Sequence, residues 1–273
     1  MNGLINLGEL QALQKDARTL ASDLGVTTRD LSDKELIRFG RSYERQFILV
    51  YPERAVADIY MRHKAEALLG AMVAKDQMNA EIDDEQPASN KIGGPAPIEA
   101  MHLGIGDDWE DINSIYAGAQ NAWTTGAPQN WIHSGTTLMG GTAGNAIRIG
   151  QNALHVVFAI ESTHDSPKIE AFQFTIDGKQ KPKLTTFWQP RTMPGAPHAV
   201  KELDNAFIFK KDTTVLATLF ISGAFGAPSA LQTDFPRLIG VSYIKEPALR
   251  LLDPVTGVGR VLPGTTYDVV YTT

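Results

Sequence analysis

The sequence predicts a mainly β body, a sandwich or jelly-roll-like barrel, carrying an N-terminal α-helical arm. Three observations predict it. Up to residue 85 glycine is scarce and apolar residues recur at steps of three and four. From residue 98 glycine and proline multiply, and apolar and polar residues alternate in short runs. Between the two, the run Gln86-Pro87-Ala88-Ser89-Asn90-Lys91-Ile92-Gly93-Gly94-Pro95-Ala96-Pro97 interrupts both patterns. The expected organisation is a helical arm over 1–85, a linker over 86–97 and a β-rich body over 98–273.

In the arm, Leu7, Leu10, Leu13, Ala17, Leu20 and Leu24 form one helical stripe, which Gly25 closes. Leu31-Ser32-Asp33-Lys34-Glu35-Leu36 then reads as a helix start. Ser32 can accept from the Glu35 amide, Glu35 can reach back to the Ser32 amide, and Leu31 can pack on Leu36. That second helix carries Leu36, Ile37, Phe39, Tyr43, Phe47 and Ile48, and stops near Tyr51 because Pro52 disfavours helical geometry in the residue before it. Pro52 suits the first turn of a third helix, running through Ile59, Tyr60, Ala67, Leu68 and Ala71 towards Met78.

In the body, Phe172, Phe174 and Ile176 alternate with Gln173 and Thr175, and Asp177-Gly178 supplies a two-residue hairpin turn after which 179–188 returns as a partner strand. Further strands are expected at 146–149, 154–160, 206–209, 215–221, 238–244 and 267–271. With no helical crossover between them, these short strands suggest a sandwich or closed barrel. The stretch 101–144, with Trp109, Trp123 and Trp131, is the least regular part; a long loop of this kind is typically functional or held by a partner.

Composition excludes several classes of function. The absence of cysteine removes disulfides, thiolate metal sites and cysteine nucleophiles. No apolar run approaches the length of a membrane span, and no basic segment leads into an apolar core near the first residue, so neither membrane insertion nor a secretory signal is expected. Formal charge is −6, and neither half is basic: residues 1–85 hold 11 Lys/Arg against 15 Asp/Glu, which argues against a dedicated nucleic-acid binder.

Candidate chemistry is sparse. Asp107, Asp108, Glu110 and Asp111 offer oxygen ligands to a hard cation, although the spacing is not that of an EF-hand and an acidic helix N-terminus explains it as well. Gly140-Gly141-Thr142-Ala143-Gly144 lacks the lysine and the following helix of a phosphate loop. His164-Asp165-Ser166 and His133-Ser134 are adjacent in sequence, whereas a catalytic triad converges from separate segments. The six histidines His63, His102, His133, His155, His164 and His198 show no metal-ligand spacing, and His63 reads as a packed histidine. Arg38, Arg41 and Arg45 share a helix face that could meet phosphate, but nearby Asp33, Glu35 and Glu44 favour a solvated ion-pair face. No cofactor and no enzymatic activity are expected.

A helical arm, a turn-rich β body, long aromatic loops and no catalytic constellation resemble, in layout, a phage or archaeal-virus-like coat protein of the β-barrel or jelly-roll type. The resemblance implies a self-assembling capsid subunit. Its partners would be copies of itself and other virion proteins, and its place the virion, assembled in the host cytoplasm. The leucine stripe Leu7, Leu10, Leu13, Leu20 and Leu24 is the expected assembly surface. The arm departs from many coats in being acidic and helical, so contact with nucleic acid does not follow; a coat with a mixed α/β body and a long helix is the other architecture of this class. The alternative is a carbohydrate- or ligand-binding β module, with Trp109, Trp123, Trp131 and Trp188 as stacking platforms.

Overall fold

The computed structural model describes residues 6–48, 54–83, 91–97, 129–132, 146–162, 169–185, 199–221, 236–245, 251–252 and 259–260. Helix α1 (Leu7–Asp23) starts where the Asn6 side chain accepts from the Gly8 amide and ends before Gly25, whose φ of +62° carries the chain out of the helix. Helix α2 (Asp33–Tyr43) begins with the reciprocal Ser32–Glu35 capping box and continues as a π-helical turn over Glu44–Ile48. The apolar spacing from 52 to 78 predicts one helix, but there are two, α3 (Arg54–Arg62) and α4 (Lys64–Met78). The break is His63, with φ −93° and ψ 25°, whose ring is held by Glu202 and Phe158 far along the chain as well as by Glu66; periodicity continues across it and so does not reveal it.

Among the described residues fourteen short and long strands follow. They are β1 (Glu81–Ile82), β2 (Lys91–Ile92), β3 (Ala96–Pro97), β4 (Gln129–Ile132), β5 (Ile147–Arg148), β6 (Ala153–Ser162) and β7 (Ile169–Ile176). After them come β8 (Lys179–Gln180), β9 (Leu184–Thr185), β10 (Ala199–Phe209), β11 (Thr214–Ile221), β12 (Pro236–Ile244), β13 (Leu251–Leu252) and β14 (Gly259–Arg260). One antiparallel sheet runs β10-β6-β12-β3, and a second runs β4-β11-β7-β8 with β5 on β11 and β9 on β7. The hairpin turn is as expected: Asp177 and Gly178 have φ of 50° and 72°, the positive values a primed turn requires. Asp177 also ties the turn sideways, its carboxylate accepting from the Thr214 amide at 2.8 Å. The expected strand at 267–271 lies outside the described residues.

Two layers of contact organise these sheets. On one face of β6 and β12, Leu154, Val156, Phe158, Val241 and Tyr243 join a buried cluster with Leu10, Ala17, Leu36, Phe39, Tyr43, Leu68 and Met72 of the helices. On the other face the two sheets meet, with the Phe174 ring of β7 edge-on to Phe207 and Phe209 of β10 at 5.1 and 5.4 Å. Helix α4 is buried along the whole of residues 67–75, the position of a helix that is apolar on every side. Small residues let it sit close: a Cβ on Gly70 would stand 2.4 Å from Val156 Cγ2.

The fold is therefore mixed α and β rather than mainly β, and neither sheet closes into a barrel among the described residues. The physical reason is that the helices are half of the main core: one buried cluster includes Leu36, Phe39 and Leu68 on one side of residue 85 and Val156, Ile239 and Tyr243 on the other. The segment expected as a linker takes part in the same packing, since β2 pairs with β1, β3 pairs with β12, and a Cβ on Gly94 would meet Ser42 Oγ at 2.7 Å.

Gly70→Ala gains the better helix propensity of alanine, worth up to about 1 kcal/mol, yet should lower the thermal midpoint, because overpacking of this kind costs about 1–3 kcal/mol. Gly178→Val, forcing a branched side chain into positive φ, should destabilise by about 1–2 kcal/mol or more in denaturant titration. A neutral result at either position would contradict the packing or the turn described here.

Candidate functional site

The ionisable residues that the fold brings together lie along the seams where helices meet each other and the strands. The innermost is Glu35. Its carboxylate accepts from Lys75 Nζ at 2.6 Å, from the Ser32 amide and hydroxyl at 2.7 Å each, and from the Ile82 amide at 3.0 Å. One residue thus caps α2, pairs with α4 and anchors β1. Lys75 donates also to the carbonyl of the exposed Asp30 at 2.9 Å, while Glu35 and Lys75 themselves are both buried. Burial alone pushes the Glu35 carboxyl up, but the bonds from Lys75, Ser32 and Ile82 outweigh it and hold it below the usual carboxylate range.

Asp83, buried beside β1, is bracketed by Arg38 Nη1 at 2.9 Å and Lys91 Nζ at 2.6 Å. This answers the question posed by the arginines of α2: Arg38 faces an internal carboxylate, whereas Arg41 and Arg45 are exposed. At the far end of α4, Lys211 donates to the Gln77 carbonyl at 2.6 Å and Lys245 to the Met78 carbonyl at 3.1 Å. Two cations from the β body thereby meet the negative end of the helix dipole.

The third seam surrounds His63. Its Nδ1 lies 3.2 Å from Glu66 and its Nε2 2.9 Å from Glu202 of β10, while Arg62 makes a two-pronged pair with Glu202 at 2.9 and 2.6 Å. The ring stacks on Phe158 with centroids 5.0 Å apart and planes 6° from parallel. His63 is indeed a packed histidine, as its sequence setting predicts, but one held between charges. Between β6 and β12, His155 Nδ1 lies 2.8 Å from Ser242 Oγ, a buried pair that nothing in the sequence joins.

The leucines of the α1 stripe divide. Leu10 is buried, Leu7, Leu13 and Leu20 pack partly buried against the main core, and Leu24 is 48% exposed. Leu24 borders a groove of about 440 Å³, lined by Val26, Leu203, Phe207 and Ile208 among others, with Lys181 and Lys210 at its margins. Asp107, Asp108, Glu110 and Asp111, the glycine run 140–144, His102, His133, His164, Asp165, Ser166 and His198 lie outside the described residues or have side chains that do, as do Trp109, Trp123 and Trp188; Trp131 falls in β4. Among the described residues no group of three His, Asp or Glu is arranged to hold a metal ion. No helix among them is long and apolar enough to cross a membrane.

Removing one partner of the innermost pair should be severe. Glu35→Ala leaves a buried lysine and only half of the α2 capping box, with an expected loss of about 3–5 kcal/mol, while adding Lys75→Met should recover a large part of it. Because the folded-state carboxyl is held low, this contribution is present above the ordinary carboxylate pKa and is lost as pH falls through the lowered one. Denaturant midpoints of the single and double variants between pH 3 and pH 7 measure both effects.

No protein-family model matches the chain, and no curated protein matches it. Among solved structures it is similar to the insecticidal delta-endotoxin Cry8Ea1 from Bacillus thuringiensis, at 14% identity over 59% of this chain and 25% of that one, with a TM-score of 0.23. The chain spans about a quarter of that protein's length, and a likeness at this level carries no argument about fold or activity.

Proposed function

We propose that this chain is a structural subunit that assembles with copies of itself, in the form of a viral coat subunit. The observation that carries the reading is the uneven cover of the α1 stripe. Most of it packs on its own chain, but its C-terminal end leaves Leu24 48% exposed beside a groove lined by Val26, Leu203, Phe207 and Ile208 with Lys181, Asp204, Asn205 and Lys210, and together they offer a surface that a second copy could cover. The convergent charges support it from the other side, since Glu35–Lys75, Asp83–Arg38 and Glu202–Arg62 neutralise one another and join elements together. The two facing antiparallel sheets suit a jelly-roll body, the form this reading calls for, and other virion proteins would be its further partners in a virion assembled in the host cytoplasm.

A second reading, a carbohydrate- or ligand-binding module, draws on the same groove, whose volume of about 440 Å³ falls in the range of small-molecule sites. Light scattering and negative-stain imaging of the purified chain separate the two. Closed shells or rings are expected, and Leu24→Asp should shift them to smaller species while changing stability by no more than about 0.5 kcal/mol, as for an ordinary surface substitution. A wild type that stays monomeric at every concentration would overturn assembly and promote the module. Deleting residues 1–25 is the weaker test, because it removes Leu10, Ala17 and Ala21 from the main core.

A further inference from the structure

The surroundings of His63 set a requirement that only one protonation state meets. Both ring nitrogens face carboxylate oxygens, Nδ1 towards Glu66 of α4 and Nε2 towards Glu202 of β10. A neutral imidazole carries one N–H and would turn its other lone pair onto a carboxylate; the imidazolium donates to both. The remaining groups around it are Arg62 of α3, which shares Glu202, Asp58 of α3, which acts on Arg62, the neutral Tyr43 hydroxyl near Glu66, and the apolar Phe158 ring of β6 beneath. Three carboxylates, Glu66, Glu202 and Asp58, against one arginine leave room for a second cation.

The position is mechanically placed as well. His63 is the break between α3 and α4, and Glu202 is the last residue of β10 in register with β6 before a bulge: Glu202 pairs with Ala159 and Phe207 with Val157, so 203–206 stand opposite Phe158 alone. That bulge contributes Leu203, Asp204, Asn205 and Ala206 to the wall of the groove beside Leu24.

We propose that His63, Glu66, Glu202 and Arg62 form a pH-sensitive latch, in which the imidazolium fastens the α3–α4 junction to β10 and loss of its proton frees the 203–206 bulge. Burial by itself would push the imidazole down, but the hydrogen bonds and charges of Glu66 and Glu202 raise it above its ordinary value. Glu202 is held low, chiefly by Arg62. The latch is therefore fully closed below the ordinary histidine pKa of about 6.5 and opens as pH rises through the raised one. Its hold on β10 is lost on the acid side as pH falls through the lowered Glu202 value. The latch lies within one chain and does not depend on assembly.

Proton NMR of the histidine ring signals in the wild-type chain, assigned with His63→Gln, tests the charge directly: the His63 midpoint should lie above that of a free histidine, and a midpoint at or below it overturns the proposal. Hydrogen exchange of peptides covering 199–209, corrected for the intrinsic pH dependence, tests the movement. Protection should fall several-fold between pH 5.5 and pH 8.5 in wild type and be low and level with pH in His63→Gln. Identical pH profiles in the two proteins would overturn it. Should His63→Gln fail to fold, Glu66→Gln replaces it in both measurements, with a lowered His63 midpoint expected and an unchanged one counting against the latch.

Discussion

A carboxylate withdrawn from water needs donors on every side, and the way Glu35 finds them fixes how the helical half of this protein is put together. Its donors come from its own cap, from Lys75 in the last turn of the most buried helix, and from the backbone of β1. Satisfying a single carboxylate therefore sets three separations at once: where α2 begins, how α4 lies against it, and where the chain emerges after Asn79 turns it through the left-handed region at φ 45°. A buried pair of this sort contributes less to net stability than to uniqueness, because alternative packings of the same apolar residues would leave Lys75 or Glu35 unmatched.

Around that point the core is knitted by hydroxyls as much as by methyl groups. Tyr43 donates to the Tyr60 carbonyl at 2.7 Å, Tyr60 to the Gly240 carbonyl at 3.0 Å, and Tyr243 to the Ala67 carbonyl at 2.5 Å. Burial pushes the Tyr43 and Tyr243 phenols well above their ordinary value, so they remain donors at any physiological pH. Their rings continue the packing from Phe39 through Tyr43, Phe47 and Tyr60 to Phe158, which carries the contact from helix to sheet. Helix and sheet are joined by directional contacts, which is why the helices do not behave as an appendage.

Local chemistry was legible in the sequence and long-range chemistry was not. The Ser32–Glu35 box, the Gly25 stop and the Asp177-Gly178 turn are each written within four residues, and each is present. The helix break at His63 escaped because apolar spacing is blind to a ring held by strand residues far along the chain. Glu35 was visible as a cap, but its second role depends on Lys75, forty positions away; the available signal was a lysine directly following the apolar run 67–74, which must find a partner if that helix is buried. The mainly β expectation erred in treating the change of pattern near residue 85 as a division between cores. Periodicity reports which face of an element is apolar and says nothing of what covers it.

The burial of α4 has a consequence for how the chain is made. Ala67 and Gly70 find their partners in Val156 and Tyr243, the latter 176 positions downstream of Ala67. During synthesis the helix leaves the ribosome long before the strands that cover it, apolar on all sides and able to bury only the part that α1 and α2 shield. Contacts of such sequence separation make folding slow and leave intermediates with exposed apolar surface. The nascent N-terminal half is thus a natural client for chaperones until β12 has been translated, and its maturation is timed by the length of the chain that follows it.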